Sequence, residues 1–160
     1  MTDRLTPEKR SEIMRAVHGK NTGPELIVRS AAHRLGLRFR LHDSRLPGRP
    51  DMVLAKWKTV IFVNGCYWHR HRGCRKATTP KSNTEFWKAK FASNQARDRR
   101  NYRKLIALGW RVLIVWQCEV KSAEQASALL SVHFPTSTPD TLDRTPLSSV
   151  GQRDIHPLKP

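Results

Sequence analysis

The sequence predicts an α/β domain with a central mixed sheet and helices on its faces. Two apolar runs, Thr59–Val63 and Trp110–Trp116, read as buried strands. A long polar helix fills the interval between them, from Thr84 to about Leu108, and the elements follow the order α-α-β-β-β-α-β-α. Strands interleaved with helices of this length form a sheet covered on its faces.

The elements follow from local chemistry. Thr6, Pro7 and Glu8 supply an N-cap, a proline suited to the first helical position and an acid in the first turn. Ile13, Met14 and Val17 follow at helical spacing, and Gly19 ends this first helix. A second helix starts at Thr22-Gly23-Pro24-Glu25, carries Ile27, Ala31 and Leu35 as an apolar stripe, and stops at Gly36. Arg38–Leu41 alternates polar and apolar as a half-buried strand does. The loop 46–50 leads into a strand over Asp51–Ala55, and Lys56-Trp57-Lys58 turns it tightly into Thr59–Val63, an antiparallel hairpin. Residues 64–83 read as irregular. Thr84 caps the long helix and Gly109 ends it, while Ser122 and Gln125 resemble a capping box before Ala126, Leu129 and Leu130.

Composition narrows the function. The 160 residues hold 30 Lys+Arg against 13 Asp+Glu, a net charge of +17 that predicts a polyanionic partner. No apolar run approaches the ~18 residues of a bilayer span, and the N-terminus lacks the apolar stretch of a secretory signal. Three cysteines argue against a disulfide framework and for a reducing compartment. A cytoplasmic, nucleic-acid-facing protein is expected, without a membrane. Half of the ten prolines fall in residues 135–160, where acids and bases balance. That predicts a domain over 1–134, its first 20 residues an N-terminal helix, and a disordered tail over 135–160.

The stretch Arg49–Cys74, with Cys118, concentrates the chemistry. Cys66, His71, Cys74 and Cys118 make a Cys3His set, the donor composition of a closed structural zinc site. The alternative is that Cys66 and Cys118 are small buried apolar residues and the histidines are solvated. Asp51, at a strand start, suits Mg2+, and the neighbouring strand end near Val63 and Asn64 can add a backbone carbonyl. His69 is a candidate acid or base, with Asp98 to orient it. Asp51 can equally pair with Arg49, and Glu25 can be only a capping-box acid. Tyr67 and Trp68 sit where few core partners are expected. Trp87, Lys90, Asn94 and Arg97 share one helix face that joins a stacking ring and an amide to cations. Trp68 and Trp87 can instead pack against the Cys/His loop.

Several segments together carry a family resemblance over roughly residues 1–121. They are Met14–Val17, Asn21–Glu25, Leu46–Asp51, Gly65–His69, Thr84–Trp87, Asn94, Arg97–Arg100 and Gly109–Trp116. The chain resembles the very short patch repair (Vsr) DNA mismatch endonucleases. The resemblance implies a restriction-endonuclease-like fold with a structural zinc site. It also implies nicking of duplex DNA 5′ of the thymine in a T:G mismatch left by 5-methylcytosine deamination. It places Mg2+ at Asp51, Zn2+ at Cys66, His71, Cys74 and Cys118, a catalytic role at His69, and Glu25 near the water shell of the metal. Tyr67, Trp68 and Trp87 would wedge at the mismatch from the major groove and Met14 from the minor groove. Lys90 and Asn94 would contact DNA. The protein would act as a monomer, linked in function to a cytosine-5 DNA methyltransferase and to mismatch-repair proteins.

One position departs from the family pattern. Asn64 stands where the family usually has His. An amide donates a hydrogen bond but cannot carry a proton or a charge. Losing positioned acid/base help costs ~10²–10⁴-fold in rate, so a weakened enzyme that binds mismatched DNA without efficient turnover is the alternative reading.

Overall fold

The structure, a computed structural model, describes Thr6, Lys9, Glu12 and residues 20–135. The expected first helix, with Met14, and the tail beyond 135 lie outside the described residues. The elements, numbered here in chain order, are α1 (Gly23–Arg34), β1 (Arg40–Leu41), β2 (Met52–Leu54), a 3-10 turn (Ala55–Trp57), β3 (Thr59–Asn64), α2 (Cys66–His69), α3 (Thr84–Ala107), β4 (Arg111–Trp116) and α4 (Ala123–His133).

The four strands form one sheet in the order β1-β2-β3-β4. β1 and β2 pair antiparallel, as do β2 and β3, with Met52 opposite Ile61. β3 and β4 run parallel, from Thr59 opposite Arg111 to Asn64 opposite Trp116. The sheet is therefore mixed, and α3 is the crossover that a parallel pair requires. The tight β2–β3 connection is real, and Lys58 closes it in the left-handed region at φ 47°.

Side chains alternate across the sheet. Met52, Leu54, Ile61 and Val115 face one side and meet Val28, Ala31 and Ala32 of α1 and Ala126 and Leu130 of α4. Val53, Val60 and Phe62 face the other, under Leu105 and Tyr102 of α3. Both faces of β2 and β3 are covered, which explains their continuous apolar runs. This mixed sheet flanked by helices is the arrangement expected of a restriction-endonuclease-like domain.

Local details differ from the sequence pattern. The buried stripe of α1 runs through Val28, Ala31 and Ala32, while Ile27 and Leu35 pack at its margin. β4 lies at the sheet edge, so only Val115 of its six residues is buried. The cap of α3 is Asn83, at φ 51°, rather than Thr84, whose hydroxyl donates to the Lys81 carbonyl at 3.1 Å. The segment 64–83 is not wholly irregular, since Cys66–His69 forms one helical turn directly after β3.

Candidate active site and metal centres

The ends of β2 and β3 bring Asp51 beside Val63. Oδ2 of Asp51 accepts the Val63 N–H at 2.7 Å. In an extended strand the N–H and C=O of one residue face the same neighbour. The Val63 carbonyl therefore faces the β2 side as well, while the Asn64 carbonyl turns to β4 and accepts Gln117 N–H at 3.0 Å. Burial pushes Asp51 up to about 6; the Val63 N–H opposes the shift and the Glu25 carboxylate adds to it. A carboxylate held this way retains a strong claim on a proton or a cation.

Glu25 reaches the same place from the start of α1, where it is buried. Its Oε1 accepts the Thr22 hydroxyl at 2.9 Å and the Thr22 N–H at 3.4 Å. Its Oε2 accepts Asn21 N–H at 3.0 Å and Arg29 Nη2 at 2.7 Å. Glu25 is thus the acid of a capping box and part of the cluster around Asp51 at once. An ionised carboxylate offers about four lone-pair sites, and these four donors occupy them. Such a group can orient water near an ion more readily than bind the ion directly.

His42 and Arg29 complete the cluster. Ligand atoms of Glu25, His42 and Asp51 all lie within 4.8 Å of one another. His42 leaves β1 in the left-handed region at φ 48°, which turns its ring toward the carboxylates. Burial and then the Arg29 guanidinium hold His42 below the usual histidine range. Sequence reasoning did not single out either residue. The Glu25–Arg29 spacing of four was a readable sign of an ion pair. His42 carried no local sign, because only the β1–β2 pairing brings it to Asp51.

His69 ends α2, and Asp98 reaches it from α3, with Nδ1 and Oδ2 2.5 Å apart. The second Asp98 oxygen lies 3.5 Å from Arg97 Nη2. α2 follows directly on β3, whose Val63 N–H binds Asp51, so the His69–Asp98 pair stands at the same end of the sheet as Asp51. Asn64, on the α3 side, donates through Nδ2 to the Tyr102 hydroxyl at 3.0 Å. Burial holds the Tyr102 phenol above its ordinary value. Tyr102 is the third residue missed by the sequence reading, where it was only one position on a polar helix.

The Cys/His set converges as spacing suggested. Donor atoms of Cys66, His71, Cys74 and Cys118 lie within 4.8 Å of one another, and His71 Nε2 is 3.2 Å from Cys118 Sγ. A zinc tetrahedron with bonds of about 2.0–2.3 Å has edges of about 3.3–3.8 Å, so the set fits zinc. Burial, with Cys66 and Cys74 alongside, pushes Cys118 up to about 12. Three thiols crowded beside an imidazole are a costly group unless a cation binds their thiolates. Arg70 ties the loop down, donating to the carbonyls of Ala77 at 2.6 Å and Thr78 at 3.2 Å.

Next to this loop, Tyr67 meets Trp68, Trp87 and Phe91 edge to face, while Trp87 is tilted against Trp68 and Phe91. Tyr67 stands 5.1 Å from Trp68, 6.1 Å from Trp87 and 5.3 Å from Phe91, centroid to centroid. Tyr67 and Trp68 are half-buried on a helical turn rather than free in a loop. Trp87 is only 8% exposed, and Asn94 donates to the Trp68 carbonyl at 3.3 Å. The expected helix face therefore divides: Trp87 and Asn94 turn toward α2, while Lys90 stays exposed.

Comparison with known proteins agrees with this arrangement. The family model for DNA mismatch endonuclease Vsr matches residues 2–76. The type II nicking enzyme V.XorIIP of Xanthomonas oryzae pv. oryzae is 50% identical over 130 residues, 81% of this chain and 95% of that protein. The type II nicking enzyme V.NmeAIP of Neisseria meningitidis serogroup A is 46% identical, over 76% of this chain and 86% of its own length. The DNA mismatch endonuclease Vsr of Escherichia coli K12 is 43% identical, over 78% and 80%. With relatives 43% to 50% identical over most of their own length, the chain belongs to the Vsr DNA mismatch endonuclease family.

Proposed function

We propose that this protein nicks duplex DNA 5′ of the thymine in a T:G mismatch that arises from 5-methylcytosine deamination, with residues 1–134 as the endonuclease domain. The carrying observation is the His69–Asp98 pair, 2.5 Å apart, at the sheet end where Val63 N–H binds Asp51. The relatives' names, mismatch endonuclease and nicking enzyme, support the reaction class.

Asp51 and the Val63 carbonyl would hold Mg2+, which when bound supplies a Lewis acid for the phosphate and a more acidic water. Glu25, its lone pairs already committed, orients water at that centre. Asp98 engages Nδ1 of His69, which leaves Nε2 as the atom that exchanges a proton with water or the leaving oxygen. Cys66, His71, Cys74 and Cys118 would hold a Zn2+ whose role is structural, since all four ligands come from the protein.

Tyr67, Trp68 and Trp87 wedge beside the mismatch from the major groove, and Met14 from the minor groove. A wobble pair unstacks at less cost than a matched pair, and unstacking costs a few kcal/mol per step, so the difference becomes selectivity. Trp87 gives up ring contacts to enter DNA and regains them on bases. Lys90 and Asn94 contact the DNA at the mismatch. The protein acts as a monomer. Its lesion forms where a cytosine-5 methyltransferase has worked, which links it to such an enzyme and to mismatch-repair proteins. The enzyme acts in the cytoplasm, at the nucleoid; among the described residues no helix is long and apolar enough to cross a membrane.

The Asn64–Tyr102 hydrogen bond favours a second reading, in which the chain binds T:G duplexes with little turnover. A labelled T:G duplex with Mg2+ tests both. A nick 5′ of the thymine, lost in Asp51→Ala, supports the enzyme. Tight binding without a nick, with nicking gained in Asn64→His, assigns the second reading. No nick from either form rejects nicking for this scaffold.

A further inference from the structure

By distance alone, Glu25, His42 and Asp51 look like a three-residue metal site. The lone pairs say otherwise. Arginine has donors only, and Arg29 Nη2 lies 2.9 Å from Nε2 of His42. Nε2 must accept, so the neutral ring carries its hydrogen on Nδ1. Nδ1 is the atom that faces Asp51, 3.9 Å from Oδ1. A ring in this state has no lone pair for a cation. It has one N–H, and a carboxylate stands in front of it.

Arg29 is well placed to impose this tautomer. Its Nη1 donates to Asn21 Oδ1 and its Nη2 to Glu25 Oε2, each at 2.7 Å, and its side chain is only 12% exposed. The other oxygen of Asp51 is already fixed by the Val63 N–H. A donor at Oδ1 would fix the whole carboxylate.

We propose that His42 is a positioning residue of the cleavage centre, a donor locked by Arg29 that orients Oδ1 of Asp51 and leaves the centre with oxygen ligands alone. This rests on the reading of Asp51 as the metal-binding carboxylate. The 3.9 Å separation exceeds hydrogen-bond contact by about 1 Å, a gap that a small rotation of either group closes. An oxygen-only centre suits Mg2+ and Mn2+, whereas an added imidazole would draw in later transition metals.

Two measurements on the zinc-replete full chain test the proposal without using nicking. Ring 15N NMR of the native protein, with the signal assigned by H42Q, is expected to show the Nδ1–H tautomer of His42. The Nε2–H tautomer overturns the proposal. In the second, Mn2+ is the probe. H42L is expected to lower Mn2+ affinity about 10–100-fold, and H42Q, whose amide also donates, to restore most of it. Pulsed EPR should show no directly bound 14N that H42Q removes. Such a coupling, or native affinity in H42L, overturns the role of His42 while Asp51 keeps its own. Mn2+ binding unchanged in D51A instead rejects the reading of Asp51, and the proposal with it.

Discussion

Two clusters flank the C-terminal end of β3, and they are built on opposite principles. Cys66, His71, Cys74 and Cys118 offer three thiols and an imidazole that converge on one another, and four such donors are the number a zinc tetrahedron needs. Around Asp51 the candidates are two carboxylates and an imidazole, and most of their lone pairs are already engaged: Glu25 by four hydrogen-bond donors, His42 by Arg29, and one Asp51 oxygen by Val63. The first cluster is closed by the protein. The second leaves coordination positions for water and phosphate. The difference teaches that proximity of ligand-type residues does not define a metal's task; the count of unspent lone pairs does.

The comparison breaks most visibly at the Cys/His cluster. Cys118→Ala is expected to lose the bound zinc and destabilise the fold by several kcal/mol, read as a fall in Tm and in zinc per chain. Stoichiometric zinc retained by that variant would contradict the assignment. At the other cluster, His69→Ala is expected to slow nicking about 10²–10⁴-fold with an unchanged zinc content. A single-turnover assay beside metal analysis separates the two effects.

Next in size is Asp51 itself. Its folded pKa of about 6 exceeds the ordinary 3.8, so the folded protein binds the extra proton between those values. Stability therefore falls as pH rises from about 4 to about 6 and stays lowered above it. Asp51→Asn in magnesium-free buffer is expected to stabilise the protein at pH 7, on the order of 3 kcal/mol, and to gain nothing at pH 3. A Tm series across this range checks the sign, and an unchanged profile would mean that burial does not strain the carboxylate. The smallest effect concerns Lys90, exposed on α3. Lys90→Ala is expected to reduce the salt dependence of DNA binding by about one unit of slope, with little change in stability.

Much of this was legible in the sequence. Continuous apolar runs marked β2 and β3, and the Thr22–Glu25 and Ser122–Gln125 patterns marked helix starts that the structure retains. The Cys3His set could be assembled because its donor types are rare. His42 and Tyr102 could not be found this way. Their chemistry arises from pairing of β1 with β2 and from packing of α3 on β3, both contacts distant in sequence. The turn Cys66–His69 is too short to show a helical period. The modest burial of β4 follows from its edge position, which an apolar run does not reveal.

The parallel register of β3 and β4 has a consequence for how the chain reaches this state. Asn64 sits opposite Trp116, so Cys66 and Cys118 emerge two residues beyond the same rung of the ladder. A slip of one residue would carry Cys118 about 3.3 Å along and turn its sulfur to the other face. Only a correctly aligned pair brings the four donors together, so an ion bound there would favour that alignment.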